Sequence, residues 1–234
     1  MDQLKLIVSG YDHYEGIDVN PSQIVAQTLA QAGLPPADSS QEQDDPLEGL
    51  DLNIRAVSLP ISFGKAWPIL HEAIEDFQPN IVISTGLKRT ARGVAMERCA
   101  VNLKDANQAA QSSEDRPATH REPIDPQGPA AYWTRLPLRA ILQAFAHHNI
   151  AATLSSDAGT YVCNAVFYSL LNWTTDHPNV LAGFVSLPPV VEAKANSTEN
   201  HGLPIAQQIQ AGEDVVREAV RYYRRPSSGD MLIA

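Results

Sequence analysis

The chain has 234 residues, 44% hydrophobic and 19% charged, enough for one large domain with a sizeable core. Its formal net charge of −10 is spread along the chain, which argues against the basic patch that nucleic acid or an anionic membrane requires. No apolar run approaches the roughly 20 residues of a membrane span, and two cysteines are too few for a disulfide scaffold, so a reducing cytoplasm is the expected setting.

In chain order, the aliphatic run 4–10 reads as a strand, entered without a signal-peptide pattern. Asn20-Pro21 starts a helix, because asparagine caps free N–H groups and proline at the first helical position loses none. That helix runs to Gly33, and the polar residues 35–49 read as an exposed loop. A second strand is expected over 53–61, a helix over 64–77 with Ser62 as its cap, and a buried strand over 80–85. Residues 104–128 are polar and proline-containing, long enough for a flap or a disordered loop.

Pro137 opens a helix over 138–148, followed by a strand over 151–154. A helix over 161–173 comes after the turn Asp157-Ala158-Gly159, then a strand over 180–187 and a closing helix over 204–224. The alternation implies an α/β fold in three α/β/α layers, with a mostly parallel mixed sheet covered on both faces. Residues 1–234 are read as a single domain.

No zinc-type Cys/His spacing, no His-Glu-x-x-His and no phosphate-binding glycine loop occurs, so neither a metal nor another cofactor is expected. One residue stands out for chemistry. Cys163 follows a strand and a glycine-containing turn, close to a helix start, where the dipole and free N–H groups can lower a thiol pKa and hold an oxyanion. By itself such a cysteine reads as a packed core residue, since free cysteine is often fully buried.

Four ordered segments add to that reading. Asp157-Ala-Gly-Thr-Tyr-Val-Cys163-Asn164 is similar to the nucleophile segment Thr-Ala-Gly-Thr-Phe-Val-Cys-Asn of pyroglutamyl peptidase I. Gly86-Leu87-Lys88-Arg89-Thr90-Ala91-Arg92-Gly93-Val94-Ala95-Met96-Glu97-Arg98-Cys99-Ala100-Val101-Asn102 resembles the family's segment ending in Glu-Arg-x-Ala-x-Asn, and Pro126–Pro137 and Val8–Gly16 resemble two more. The chain thus resembles the pyroglutamyl peptidase I (pyrrolidone-carboxylate peptidase) cysteine peptidases over residues 4 to about 190.

The resemblance implies Cys163 as nucleophile and Glu97 as the acidic residue that orients a histidine. The alternative for Glu97-Arg98 is a surface or salt-bridged pair. The family's histidine strand, Gly-Phe-Ile-His-Val-Pro, reads Gly183-Phe184-Val185-Ser186-Leu187-Pro188 here, so Ser186 stands at the histidine position. Serine has no ring nitrogen to take a thiol proton near neutral pH.

The substrate-binding positions implied are Tyr11, His13, Tyr14 and Leu87, the last in place of a family glutamine. Arg89-Thr90-Ala91 replaces a family Gly-Gly-Arg. His13 is a candidate substitute base, its alternative being a solvent-facing loop residue; His147-His148 end a helix away from the site, and His177 and His201 read as surface residues. Three functions follow: a hydrolase removing N-terminal pyroglutamyl or a related acyl-amide group, a repurposed thiol enzyme acting on a different amide or thioester, and a non-catalytic scaffold. The expected partner is a peptide or small acyl-amide, and the family implies a homotetramer.

Overall fold

The computed structural model describes residues 2–12, 19–36, 45–105, 121–191 and 201–231. Along them run β1 (Asp2–Tyr11), α1 (Pro21–Ala32), β2 (Leu50–Leu59), α2 (Ala66–Phe77), β3 (Ile81–Leu87), β4 (Val94–Glu97), β5 (Cys99–Val101) and β6 (Ala131–Trp133). Then come α3 (Leu138–His147), β7 (Ala152–Ser155), α4 (Val162–Trp173), β8 (Leu181–Leu187) and α5 (Ile205–Arg224).

Six strands form one sheet in the order β2-β1-β3-β8-β4-β7, and β5 pairs with β6 in a separate ribbon. β2, β1, β3 and β8 are mutually parallel; β4 lies antiparallel to β8 and parallel to β7. The mixed sheet matches the sequence reading, but β4, β5 and β6 were not foreseen. Four and three residues are too short for an alternation signal, and β4 and β5 lie inside a stretch read as a motif.

Alternation along the inner strands sorts the core onto two faces. Leu6 and Val8 of β1 join Ile83 and Val185 beneath α1, α3 and α5, which contribute Val25, Leu29, Phe145 and Val215. Ile7 and Val82 point the other way and meet α2 and α4 through Leu70, Ile74, Val166 and Phe167. Each such side chain contributes about 1.5–3 kcal/mol of burial, so neither face is dispensable.

The helix starts show how local chemistry sets these elements. The Asn20 side chain accepts from Ser22 N–H at 3.2 Å with Pro21 at the first position, as expected, and Gly33 closes α1 at φ 67°. Ser62, expected as the cap of α2, is instead buried just ahead of it, three residues before the cap position. Lys65 is the cap residue, and the Ser62 carbonyl accepts from Ala66 N–H at 3.0 Å. The polar stretch 104–128 is also part of the framework at its ends: Lys104 and Glu122 form an antiparallel bridge, and Asn102 accepts from Asp125 N–H at 2.9 Å.

Candidate active site

The site lies where the first turn of α4 meets β3, β8 and β4. Gly86 and Ser186 are register partners on adjacent parallel strands, so their α-carbons present the same face of the sheet. A Cβ added to Gly86 would come within 2.8 Å of Cys163 Sγ and 2.8 Å of the Phe184 ring. The absence of a side chain at Gly86 is therefore what lets the thiol settle on the sheet beside Ser186. On the next strand Glu97 is the partner of Phe184, two residues before Ser186 and on that same face.

Ser186 Oγ donates to Glu97 Oε1 at 2.7 Å. Lys88, just past β3, donates to the same oxygen at 3.2 Å, to Ser155 Oγ at 3.2 Å and to the Asp157 carbonyl at 2.5 Å. Glu97 is completely buried, whereas Arg98 turns outward to Ser156 Oγ at 2.7 Å. The surface-pair reading of Glu97-Arg98 therefore fails: the carboxylate is interior, and its cation is Lys88. Glu97 Oε2 has no hydrogen-bond partner among the described residues.

Cys163 as a residue is half-buried, but its sulfur is enclosed. Burial, the largest influence, pushes the thiol from 9.0 up to about 12; a hydrogen bond with Tyr11 and one from its own backbone N–H act downward, and the Glu97 charge adds to the rise. The expected lowering at the helix start is thus overturned, because loss of solvation outweighs the dipole. Tyr11, at the end of β1, is buried against the thiol, and burial followed by the Cys163 charge raises its own pKa well above 10.0. Among the described residues its hydroxyl has no hydrogen-bond partner within ordinary distance, and the Cys163 sulfur is the polar group it faces.

The other expected residues fall as follows. Leu87 ends β3, half-buried, one residue beyond Gly86. His13 and Tyr14 lie outside the described residues. The chain on either side of them is joined by Asn20, which donates to the Asp12 carbonyl at 3.1 Å. His148 pairs with buried Asp214 at 2.9 Å, away from the thiol. His201 is exposed, but His177 is not a plain surface residue: it stacks on Trp173 at 3.8 Å between ring centroids.

Two features were missed by sequence reasoning. Lys88 sat unremarked within the glutamate motif; the available signal was a lysine directly after a strand of buried residues. Asn164, next to the nucleophile candidate, is fully buried and accepts from Val101 N–H at 3.0 Å while donating to the Val101 and Leu103 carbonyls at 2.9 Å each. It fastens β5 to the first turn of α4. Beside that turn lies a cavity of about 230 Å³ lined by Phe63, Trp67, Lys104, Ile124, Val162 and Val166.

Comparison with known proteins addresses the whole chain. The family model for pyroglutamyl peptidase matches residues 4–222. The chain belongs to the pyroglutamyl peptidase family. It is 34% identical over 189 residues to a pyrrolidone-carboxylate peptidase of Bacillus velezensis, covering 80% of each chain. It is 31% identical to one of Klebsiella pneumoniae, covering 92% of each. Among solved structures it is similar to the pyrrolidone carboxyl peptidase of Thermococcus litoralis, with TM-score 0.81, 26% identity and 99% of both chains covered. Pyroglutamyl peptidase I of Bacillus amyloliquefaciens gives TM-score 0.76 and 28% identity, covering 94% of this chain and 98% of that one. As in these pyroglutamyl peptidase relatives the fold is α/β, and no helix among the described residues is long and apolar enough to cross a membrane.

Proposed function

We propose that this protein is a cysteine hydrolase that removes an N-terminal pyroglutamyl group, with Cys163 as nucleophile and a triad in which Ser186 occupies the histidine position. The observation that carries this reading is the placement of Cys163 Sγ over Gly86, with Ser186 the register partner of Gly86 and hydrogen-bonded to Glu97. Nucleophile, intermediate residue and carboxylate stand in that order across three elements, at the carboxyl ends of β3 and β8 where α/β folds bind ligands.

In the reaction, the Cys163 thiolate attacks the pyroglutamyl carbonyl carbon, and the carbonyl π electrons move to oxygen. The N–H groups of the first turn of α4, which have no acceptor within the helix, stabilise that oxyanion. The oxyanion collapses, the C–N bond breaks, the amine leaves with a proton drawn from solvent water in place of the one the thiol released to solvent, and water hydrolyses the thioester to pyroglutamate and free thiol. Ser186 can relay a proton toward Glu97, but it cannot store one near neutral pH as imidazole does. Turnover through this site is therefore slow, on the order of 10³-fold or more below that of a complete triad.

The experiment is hydrolysis of a fluorogenic pyroglutamyl amide by the purified protein under reducing conditions, with Cys163→Ala as control. Slow release that disappears in Cys163→Ala is the expected result. Release that persists in that variant, or no release even at high enzyme concentration, overturns the assignment. In the latter case, a Cys163 that still reacts with iodoacetamide favours the repurposed thiol enzyme.

A further inference from the structure

The expected triad does not use Lys88, yet Lys88 makes more polar contacts at the site than any triad member. Its ammonium reaches from the end of β3 across β8 to three acceptors: Glu97 Oε1 on β4, Ser155 Oγ at the end of β7, and the Asp157 carbonyl in the turn leading to Cys163. The backbone contributes to this reach. Lys88 N–H donates to the Leu187 carbonyl at 2.8 Å, extending the β3–β8 pairing by one residue, and Arg98 N–H donates to the Ser155 carbonyl at 2.7 Å.

A completely buried carboxylate must be paired, because an isolated buried charge costs several kcal/mol. In a Cys-His-Glu arrangement the imidazole would be that partner, and Ser186 offers only a neutral hydroxyl. Lys88 is the group that supplies positive charge to Glu97 among the described residues. Half-buried itself, it is tethered by two further acceptors, which fixes its ammonium rather than leaving it as a mobile surface cation.

We propose that Lys88 is a positioning residue of the site: its fixed ammonium pairs with Glu97 and aligns it beneath Ser186, and ties the turn carrying Cys163 to the end of β3. This rests on Cys163 being the nucleophile proposed above. The other charged or titratable groups around the thiol are few. Tyr11 faces it from β1 and Glu97 from β4. Asp157 accepts from Gly159 N–H with its carboxylate, and Arg98 is turned away to Ser156. Cys99, on β5, has its sulfur on the Ser156 carbonyl. With Lys88 removed, the negative field of Glu97 acts on the thiol unscreened and disfavours the thiolate.

The test is the pH profile of Cys163 alkylation by iodoacetamide, in a Cys99→Ser background, for Lys88→Met, Lys88→Arg, Glu97→Gln and Lys88→Met/Glu97→Gln. It reads the thiol directly and needs no turnover, so it stays informative even where the peptidase reaction is absent. Lys88→Met is expected to slow alkylation at pH 8 about tenfold, equivalent to roughly one unit of thiol pKa. Lys88→Arg, which keeps a cation, is expected to recover most of that loss. The double variant is expected to react as fast as Glu97→Gln alone, because the lysine acts through the carboxylate. A profile unchanged in Lys88→Met overturns the proposal, as does equal slowing in Lys88→Arg. Should Lys88→Met fail to fold, Lys88→Gln, which removes the charge but keeps a hydrogen-bond donor, replaces it: slower alkylation at pH 8 supports the proposal and an unchanged profile overturns it.

Discussion

Ser186 Oγ and Glu97 Oε1 are 2.7 Å apart, a charge-assisted hydrogen bond between a buried hydroxyl and a completely buried carboxylate. Ser186 is also the register partner of Gly86, on which the Cys163 sulfur rests, so one side chain stands between thiol and acid. Ser186→His places an imidazole in that position with Glu97 as its orienting acceptor. We expect kcat/KM on a pyroglutamyl amide to rise on the order of 10³-fold, with an acid limb near the ordinary histidine pKa of about 6.5. A folded Ser186→His protein that gains no activity would show that the serine is not what limits catalysis.

The thiol environment gives a pH prediction with a definite sign. The Cys163 pKa is raised from 9.0 to about 12 by burial, so its thiolate fraction at neutral pH is depressed, and alkylation should keep accelerating beyond pH 10 instead of levelling near 9. The Tyr11 hydrogen bond lowers the value, so Tyr11→Phe should slow alkylation further at every pH below about 12. By linkage, a group whose folded pKa is raised adds stability that is complete below its unfolded value and lost as pH rises through the folded one. The stability difference between wild type and Cys163→Ala should therefore change between pH 9 and 12 and be flat below. A plateau in the alkylation rate near pH 9 would contradict the buried-thiol geometry.

How much of this site was legible depends on the range of the interaction. Asn20-Pro21 announced α1 because a cap is local, and the cysteine segment placed Cys163 in the first turn of α4 for the same reason. Glu97 and Ser186 were legible only through the motifs that resemble the family, since 89 residues separate the two partners of their hydrogen bond. Burial of Cys163 was legible only as the alternative to a nucleophile, not as a property of one. The enclosure of the Cys163 sulfur comes from Gly86 and Phe184 on distant strands, and it reversed the expected direction of the thiol pKa. Lys88 escaped for a related reason: its acceptors lie on β4, at the end of β7 and in the following turn, brought together only when β4 inserts between β8 and β7, antiparallel to the first and parallel to the second.

Gly86 offers a steric test of where the sulfur sits. An alanine Cβ there would meet both Cys163 Sγ and the Phe184 ring at 2.8 Å, closer than side chains pack. We expect Gly86→Ala to cost about 1–3 kcal/mol, the usual penalty of overpacking. Removing the sulfur should relieve part of that penalty, so Gly86→Ala should be less destabilising in a Cys163→Ala background than in wild type. Urea denaturation of the four proteins measures the coupling, and strict additivity would place the thiol somewhere other than on Gly86.

Asn164 tests what holds the helix turn carrying Cys163 in place. Its buried amide satisfies three backbone groups at once: the Val101 N–H, the Val101 carbonyl and the Leu103 carbonyl. Asn164→Ala leaves the Val101 N–H and the Leu103 carbonyl unpaired, while the Val101 carbonyl keeps the Leu103 N–H at 2.8 Å, a loss of about 2–4 kcal/mol once desolvation is counted. In a protein of this size that lowers the melting temperature by roughly 5–15 °C. Asn164→Asp separates the two halves of the interaction. It retains the acceptor for Val101 N–H, loses both donors and buries a charge against two carbonyl oxygens, so it should be at least as destabilising as alanine. Thermal melts of the two variants compare them directly. An aspartate variant as stable as wild type would mean that the donor bonds to Val101 and Leu103 do not anchor β5 to α4, and that the turn carrying Cys163 is held by its apolar packing alone.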